Sequence, residues 1–141
     1  MKIRKLNETD YVIYLFNKDI DFNNINEEVK RIIKKIQKLL KLKGFYRTVV
    51  VSKSIGLFIK LIKLDDAFYK NTLDLKIEIR DEDIYFKTDD YFKIDNLSKV
   101  VYLDGMYYCI IDDSFEEILE KVEFGSFVFG DEINLNRGFV I

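Results

Sequence analysis

The chain contains no histidine, no proline and no tryptophan, and it has a single cysteine. Without histidine, catalytic triads built on an imidazole base and the common histidine-containing zinc sites are excluded. Without proline, the sequence has no proline-rich linker and no polyproline recognition segment. The lone Cys109 lies in the apolar run MYYCII, which indicates a small buried residue rather than a reactive thiol.

Long apolar runs are also missing, which bears on where the protein works. No stretch approaches the roughly 20 apolar residues of a membrane span, and the N-terminus MKIRKLNETD lacks the hydrophobic region of a signal peptide. One cysteine cannot form an internal disulfide, which suits a reducing compartment. We therefore expect a cytoplasmic protein without membrane contact, and no motif in the sequence indicates a cofactor or a metal.

Charge is distributed unevenly along the 141 residues, although the net charge is only −2. Residues 1–63 carry 15 Lys/Arg against 6 Asp/Glu, a net charge of +9, whereas residues 64–141 carry 8 against 19, a net charge of −11. Such a split would let the two halves attract each other, attract other copies, or attract different partners.

The clearest pattern is an amphipathic helix between Asn24 and Gly44. Asn24 and Glu27 have the spacing of a capping box, and Gly44 follows at the position expected for a left-handed residue. Apolar residues recur at steps of three and four and predict a stripe that must pack on a sheet; they are Val29, Ile32, Ile33, Ile36, Leu39 and Leu40. The opposite face is basic and consists of Lys30, Arg31, Lys34, Lys35, Lys38 and Lys41.

Runs rich in β-branched and aromatic residues predict strands on both sides of this helix. Asp104-Gly105 has the composition of a type I′ hairpin turn, which needs positive φ at both residues. The run at 57–64 is apolar on both faces, which favours a central position in a sheet. The predicted strands cover residues 3–6, 11–16, 46–51, 57–64, 73–80, 84–87, 99–103, 106–111, 126–129 and 138–141.

A second, shorter and acidic helix is predicted from Ser114 through Glu123, because Ser114 and Glu117 have capping-box spacing before an apolar stripe. The order of elements predicts an α+β fold, in which a mixed or mostly antiparallel sheet of about six to eight strands packs against the long basic helix and the short acidic one. The length fits one compact domain over residues 1–141, with any subdivision placed near 65–72.

Two stretches follow an order of elements that is typical of a known family. The opening MKIRKLNETDYVIYLFNKDI, the helix with Glu27 and Glu28, and the hairpin RTVVVSKSIGLFIKLIK resemble the N-terminal domain of MecA-type adaptor proteins over about residues 1–65. The tail VVYLDGMYYCII, the acidic helix and the terminal RGFVI resemble, in order, the strand pair, helix and closing strand of that family's second domain. The resemblance implies a non-enzymatic adaptor that presents substrate proteins to a Clp-type unfoldase. It is one of pattern and order, and no functional residue is carried over.

Acidic pairs provide one class of candidate site, because paired carboxylates can hold a hard cation or perform acid/base catalysis. They fall at predicted turns, where Asp is favoured for local backbone reasons. A carboxylate- or metal-dependent enzyme is therefore the least favoured hypothesis. The pairs are Asp65-Asp66, Asp81-Glu82-Asp83, Asp89-Asp90 and Asp112-Asp113.

The basic helix face is the main candidate for a partner surface, formed by Lys30, Arg31, Lys34, Lys35, Lys38 and Lys41. We expect a non-catalytic protein-interaction domain, an adaptor or regulatory subunit of the bacterial cytoplasm, that contacts another protein or a second copy of itself. The 9 Tyr and 12 Phe residues would add apolar contact area. Nucleic-acid binding through the same basic residues is the alternative, and it is disfavoured because the acidic second half would repel phosphates.

Overall fold

The computed structural model describes residues 1–15, 22–53, 56–65, 72–90, 100–111 and 127–140. The architecture is α+β, as predicted, and strands dominate it. The chain divides into two compact units, Met1–Arg80 and Asp81–Ile141. This boundary lies later than the subdivision predicted near 65–72, and the expectation that residues 1–141 form a single domain stays a prediction.

In its described residues, the first unit combines a five-stranded sheet with one α-helix. The strands run in the order β1-β2-β4-β3-β5, and every pair is antiparallel except β3 with β5, which is parallel. The prediction of a mixed sheet is therefore confirmed, and so is the central position of the strand that is apolar on both faces. The elements are β1 (Lys2–Lys5), β2 (Tyr11–Leu15), α1 (Ile25–Leu40), β3 (Gly44–Lys53), β4 (Gly56–Asp65) and β5 (Leu73–Ile79).

The core of the first unit lies between α1 and one face of this sheet. Ile13 on β2 and Val50 on β3 each lie opposite Ile59 on the central strand β4, and all three are fully buried. The helix contributes its apolar stripe to the same cluster, and burial of each such side chain is worth about 1.5–3 kcal/mol. The buried helix residues are Val29, Ile32, Ile33 and Ile36.

The start of α1 differs from the sequence prediction in one detail. Asn24 occupies the N-cap position, but its side chain accepts no capping hydrogen bond. The predicted capping box is therefore wrong, and Glu27 instead approaches Lys30, with 3.7 Å between its Oε1 and the lysine Nζ. The apolar stripe is also narrower than predicted, because Leu39 lies beside it and is 73% exposed.

The end of α1 comes earlier than the sequence prediction, at Leu40. Lys41, rather than Gly44, adopts the left-handed conformation with φ of 53°, and its N–H donates to the carbonyl of Gln37. The chain thus reverses three residues sooner, and Leu42 turns back into the core in place of Leu39. Gly44 already belongs to β3, where its φ of 109° is accessible only to glycine.

The described residues of the second unit form a separate five-stranded antiparallel sheet with the order β10-β7-β8-β6-β9. Asp104 and Gly105 have φ of 51° and 82°, which confirms the predicted type I′ hairpin. Cys109 is buried, as predicted. The strands are β6 (Ile84–Thr88), β7 (Val100–Leu103), β8 (Met106–Ile110), β9 (Phe127–Phe129) and β10 (Phe139–Val140).

The single sheet of six to eight strands is wrong, because β6 pairs with β8 and β9 rather than continuing the sheet that ends at β5. The strand pattern shows which side chains alternate, but it carries no information about which strands pair. The predicted acidic helix from Ser114 through Glu123 lies outside the described residues. Over the described ranges, no helix is long and apolar enough to cross a membrane.

A buried hydroxyl group interrupts the apolar face of β3. Thr48 lies beneath α1, opposite Leu61 on β4 and Ile77 on β5, and is completely buried. Among the described residues, its Oγ1 finds no hydrogen-bond partner. A buried polar atom without a partner costs roughly 1–3 kcal/mol, because it has left water without replacing the hydrogen bond it made there.

Edge strand β5 is fastened to β3 by side chains on the sheet face opposite α1. Arg47 on β3 donates from Nε and Nη2 to the two carboxylate oxygens of Glu78, at 3.2 and 3.1 Å. Arg80 Nη2 donates to the same carboxylate at 2.7 Å. The pKa of Glu78 lies below its ordinary 4.5, and the hydrogen bonds from Arg47 are the largest cause. Burial raises this pKa, whereas the hydrogen bond from Arg80 lowers it further.

We predict that Thr48→Val stabilises the protein. Valine has nearly the shape of threonine and removes the unsatisfied hydroxyl, so the free energy of unfolding in urea should rise by about 1 kcal/mol or more. Thr88→Val is the matched control: Thr88 is also buried, but its Oγ1 accepts a hydrogen bond from the Asp90 N–H at 3.1 Å, so this variant should lose stability. A Thr48→Val protein less stable than wild type would contradict the assignment.

We also predict a pH dependence of stability that Glu78 controls. The folded-state pKa lies below the unfolded value, so this stabilisation is complete above about pH 4.5 and is lost as the pH falls through the folded pKa. The melting temperature of wild type should therefore fall more steeply than that of Glu78→Gln as the pH is lowered from 5 to 3. Glu8→Gln, at a side chain that is 97% exposed, is the control and should follow wild type. Parallel curves for wild type and Glu78→Gln would refute the prediction.

Candidate functional site

The six basic residues of the predicted partner surface all lie on α1 or at its C-cap, and all six are exposed. Five of them form two rows along the helix, and Lys41 lies at its C-cap. Lys30 and Lys34 lie on the side of the helix that borders β5. Arg31, Lys35 and Lys38 recur at steps of four and three on the side opposite the buried stripe. The structure therefore distributes the predicted surface over two different environments.

Ion pairing further separates the beginning of the basic face from its end. Arg31 Nη2 lies 2.6 Å from Glu28 Oε2, and Lys30 is paired more loosely with a glutamate of the first turn. Lys34, Lys35 and Lys38 form no ion pair with any residue in the described ranges. Exposed pairs of this kind contribute little to stability, but they partly neutralise the first turn, so the uncompensated positive charge lies from Lys34 onward.

A groove with a volume of about 520 Å³ runs between α1 and β5. Its floor is apolar, because Ile33 is buried there and Leu73 and Leu75 are half-buried. Its rim on the helix side is cationic, formed by Lys30 and Lys34. The complete lining consists of Lys30, Ile33, Lys34 and Gln37 from the helix and Thr72, Leu73, Asp74 and Leu75 from the strand side.

The position of β5 at the edge of the sheet gives the groove its open side. β5 pairs only with β3, and no strand lies along its other edge in the described part of the chain. At its two ends, the Thr72 carbonyl accepts from the Gly44 N–H at 2.7 Å, and the Arg80 N–H donates to the Val50 carbonyl at 2.9 Å. Even-numbered residues of this segment thus direct their backbone polar groups toward β3.

The odd-numbered residues of β5 therefore direct their N–H and C=O groups toward the open edge. The contact at Leu75 agrees with this geometry, since its N–H donates to the side-chain Oδ1 of Asp74 at 2.9 Å. Leu73, Ile77 and Ile79 have the same orientation by alternation along the strand. An edge with such groups can pair with another chain, and proteins often protect it with charged side chains, as Asp74 does here.

An apolar strip continues past the groove along the same face of β5. Ile77 is half-buried and Ile79 is 53% exposed, although both alternate with the charged residues of the opposite face. At the other end, Gln37 fixes the exit of α1, because its carbonyl accepts from the Leu42 N–H at 3.0 Å. The site therefore combines one side of α1, the outer edge of β5 and an apolar strip along that strand.

A second exposed apolar feature lies in the other unit. Tyr102 and Tyr107 are neighbours across the hairpin, with ring centroids 5.0 Å apart. Phe139, opposite Tyr102 on edge strand β10, is 74% exposed, and Val140 is also exposed. The sequence predicts an aromatic surplus on an outer sheet face, and these residues form such a patch on the second sheet.

Two carboxylates of the acidic pairs accept hydrogen bonds in the described part of the chain. The Glu82 carboxylate accepts from the Asp131 N–H at 3.1 Å, and the Asp83 carboxylate accepts from the Tyr85 hydroxyl at 3.4 Å. Asp66, Asp112 and Asp113 lie outside the described residues. Within the described ranges, no three His, Cys, Asp or Glu side chains come together to hold a metal ion.

Sequence reasoning identified the basic face of α1 but missed the groove, because it did not place β5 beside the helix. The available signal was the alternation in LDLKIEIR, which marks one apolar face on 73–79. Only strand order shows that this face lies at an edge beside α1.

Comparisons of the chain with protein-family models, with curated proteins and with solved structures find no match.

Proposed function

We propose that this chain is a non-catalytic protein-interaction domain, an adaptor or regulatory subunit of the bacterial cytoplasm, that binds a segment of another protein in the α1–β5 groove. One observation carries the proposal: the outer edge of β5, unpaired in the described part of the chain, lies beside α1 and over the apolar floor of the groove. Domains that recognise peptides use this combination, because backbone pairing supplies affinity and alternate side-chain contacts supply specificity.

The chemistry of the lining supports binding rather than catalysis. The groove offers two lysines, an amide, a hydroxyl and apolar side chains, and its one carboxylate, Asp74, already accepts from the Leu75 N–H. A general acid or base must lie within hydrogen-bond reach of the proton that it transfers, and the backbone of β5 already occupies the one carboxylate of this lining. The volume of about 520 Å³ accommodates several side chains of a bound segment.

The proposal is tested by blocking the groove. Peptides selected from a displayed random library for binding to the wild-type chain should bind Lys34→Trp at least about tenfold more weakly, since an indole at this position covers the groove. Lys35→Trp is the matched control, because Lys35 is also an exposed lysine without an ion pair in the described chain but faces away from β5. It should bind the same peptides as wild type does.

Two results would contradict the groove as the contact site. One is equal binding by wild type and Lys34→Trp. The other is equal weakening by the two tryptophan variants, which would indicate a general effect on α1. Circular dichroism of each variant checks that the fold is retained.

Nucleic-acid binding is the second candidate, and the exposed row Arg31, Lys35 and Lys38 favours it. It requires affinity that falls steeply with salt, because neutralised phosphates release counterions. The net charge of −2 on the whole chain opposes it. We expect no binding of a labelled DNA duplex or RNA strand by fluorescence anisotropy at 50 mM salt. Binding that is lost at 200 mM salt and on charge reversal of this row would favour the nucleic-acid function instead.

A further inference from the structure

We infer that the groove takes an acidic protein segment in extended conformation, which adds to β5 as a sixth strand of the first sheet. This inference rests on the proposed function and specifies both the geometry and the chemistry of the partner. The geometry follows from the backbone of β5, and the chemistry follows from the charges that border it.

The odd-numbered residues of β5 direct their backbone polar groups outward, away from β3. A ladder of N–H and C=O groups faces the open edge and belongs to Leu73, Leu75, Ile77 and Ile79. Among the described residues, the Asp74 carboxylate accepts a hydrogen bond from only one of these N–H groups, that of Leu75. A strand that pairs here lies about 4.8 Å from β5. Its carbonyls would accept from these amides and replace the Asp74 oxygen at Leu75, so an extended segment satisfies the whole ladder together.

The side chains of an added strand would meet apolar and cationic groups. On the helix side they pack beside the strip formed by Leu73, Leu75 and Ile77 and pass beneath Lys30 and Lys34. On the opposite face, β5 carries the exposed cation Lys76, whose Nζ lies 3.9 Å from Oε1 of Glu78. A segment with both apolar and acidic residues on each face matches these contacts.

The charge of the first unit favours an acidic partner. Residues 1–80 carry 18 Lys/Arg against 10 Asp/Glu, a net charge of +8. Lys34 has no ion-pair partner within the described ranges, so an acidic side chain would give it one. Complementary potentials of this kind raise association rates and exclude partners of the same sign.

A second copy of the chain fits the same edge less well. Antiparallel pairing of two β5 strands would create a two-fold axis and a continuous sheet with both helices on one face. Lys30 and Lys34 of the two copies would then face each other across the junction. Like charges placed this way are unfavourable, so the geometry favours a different, acidic chain as the occupant.

The test uses the complete chain labelled with ¹⁵N and an eight-residue synthetic peptide with the repeat Glu-Val-Val-Glu, which places both residue types on each face. At saturation, amide hydrogen exchange of Leu73, Ile77 and Ile79 should slow by about tenfold or more. The amides of Lys76 and Glu78 are internal controls, because they already point toward β3 and should change little. The lysine counterpart, Lys-Val-Val-Lys, should bind at least tenfold more weakly.

Charge reversal identifies the residues that select the peptide. Lys30→Glu/Lys34→Glu should weaken binding of the glutamate peptide about tenfold or more. Lys35→Glu/Lys38→Glu makes the same change in net charge on the helix side that faces away from the sheet. This variant should weaken binding of the glutamate peptide no more than about twofold. Equal effects of the two double variants would overturn the assignment of the groove lysines.

Other outcomes overturn the inference in distinguishable ways. Peptide-induced shifts in α1 without slower exchange at the odd-numbered β5 amides would exclude strand addition while leaving the groove as a binding site. Slower exchange at β1 or β10 would place the segment on another edge. Dimerisation of the free chain with protected β5 amides would make a second copy the occupant. Failure of the proposed function differs from all of these, because Lys34→Trp would then leave binding of the library-selected peptides unchanged.

Discussion

Burial of the α1 stripe against the first sheet is the interaction on which the rest of this unit depends. Ile33 and Ile36 are buried against strands β2, β3 and β4, and this contact fixes the rotation of the helix about its own axis. Since residues three and four apart share a helix face, the same rotation turns Lys30 and Lys34 toward β5 and Arg31, Lys35 and Lys38 away from the sheet. A stripe displaced by one residue would place different side chains along the groove.

The second constraint is that β5 pairs on one side only within the described part of the chain. Its parallel pairing with β3 and the bidentate hydrogen bonds from Arg47 to Glu78 hold the strand in place. Its other edge retains outward backbone groups that soluble proteins usually cover or protect. Asp74 protects one of them at Leu75. A strand that is firmly attached yet open on one side is suited to binding, because the bound chain need not reorganise it.

Much of the fold could be predicted from local sequence because its signals are local. The period of the α1 stripe, the two apolar faces of β4 and the Asp104-Gly105 turn each depend on a few neighbouring residues. The end of α1 could not be predicted in this way, because Lys41 takes a conformation that glycine usually adopts. Its position is set by the return of Leu42 to the core, which is a tertiary contact.

The candidate site was predictable only in part. The basic residues are evident from the sequence, but the sequence does not show that one row borders β5 while the other faces away from the sheet. Strand order makes β5 that neighbour, and no pattern within 73–79 encodes its position at an edge. The unpaired hydroxyl of Thr48 was hidden for the same reason, since threonine is common in strands and only packing shows that it lies under α1.

The central claim is that β5 is an open edge with alternating inward and outward backbone groups. Amide hydrogen exchange of the free protein, measured residue by residue by NMR, tests it most directly. The structure predicts slow exchange at Lys76 and Glu78, whose amides point toward β3, and exchange at least about tenfold faster at Leu73 and Ile77. Uniformly slow exchange along β5 would show that its outer edge is already paired, and would contradict the claim.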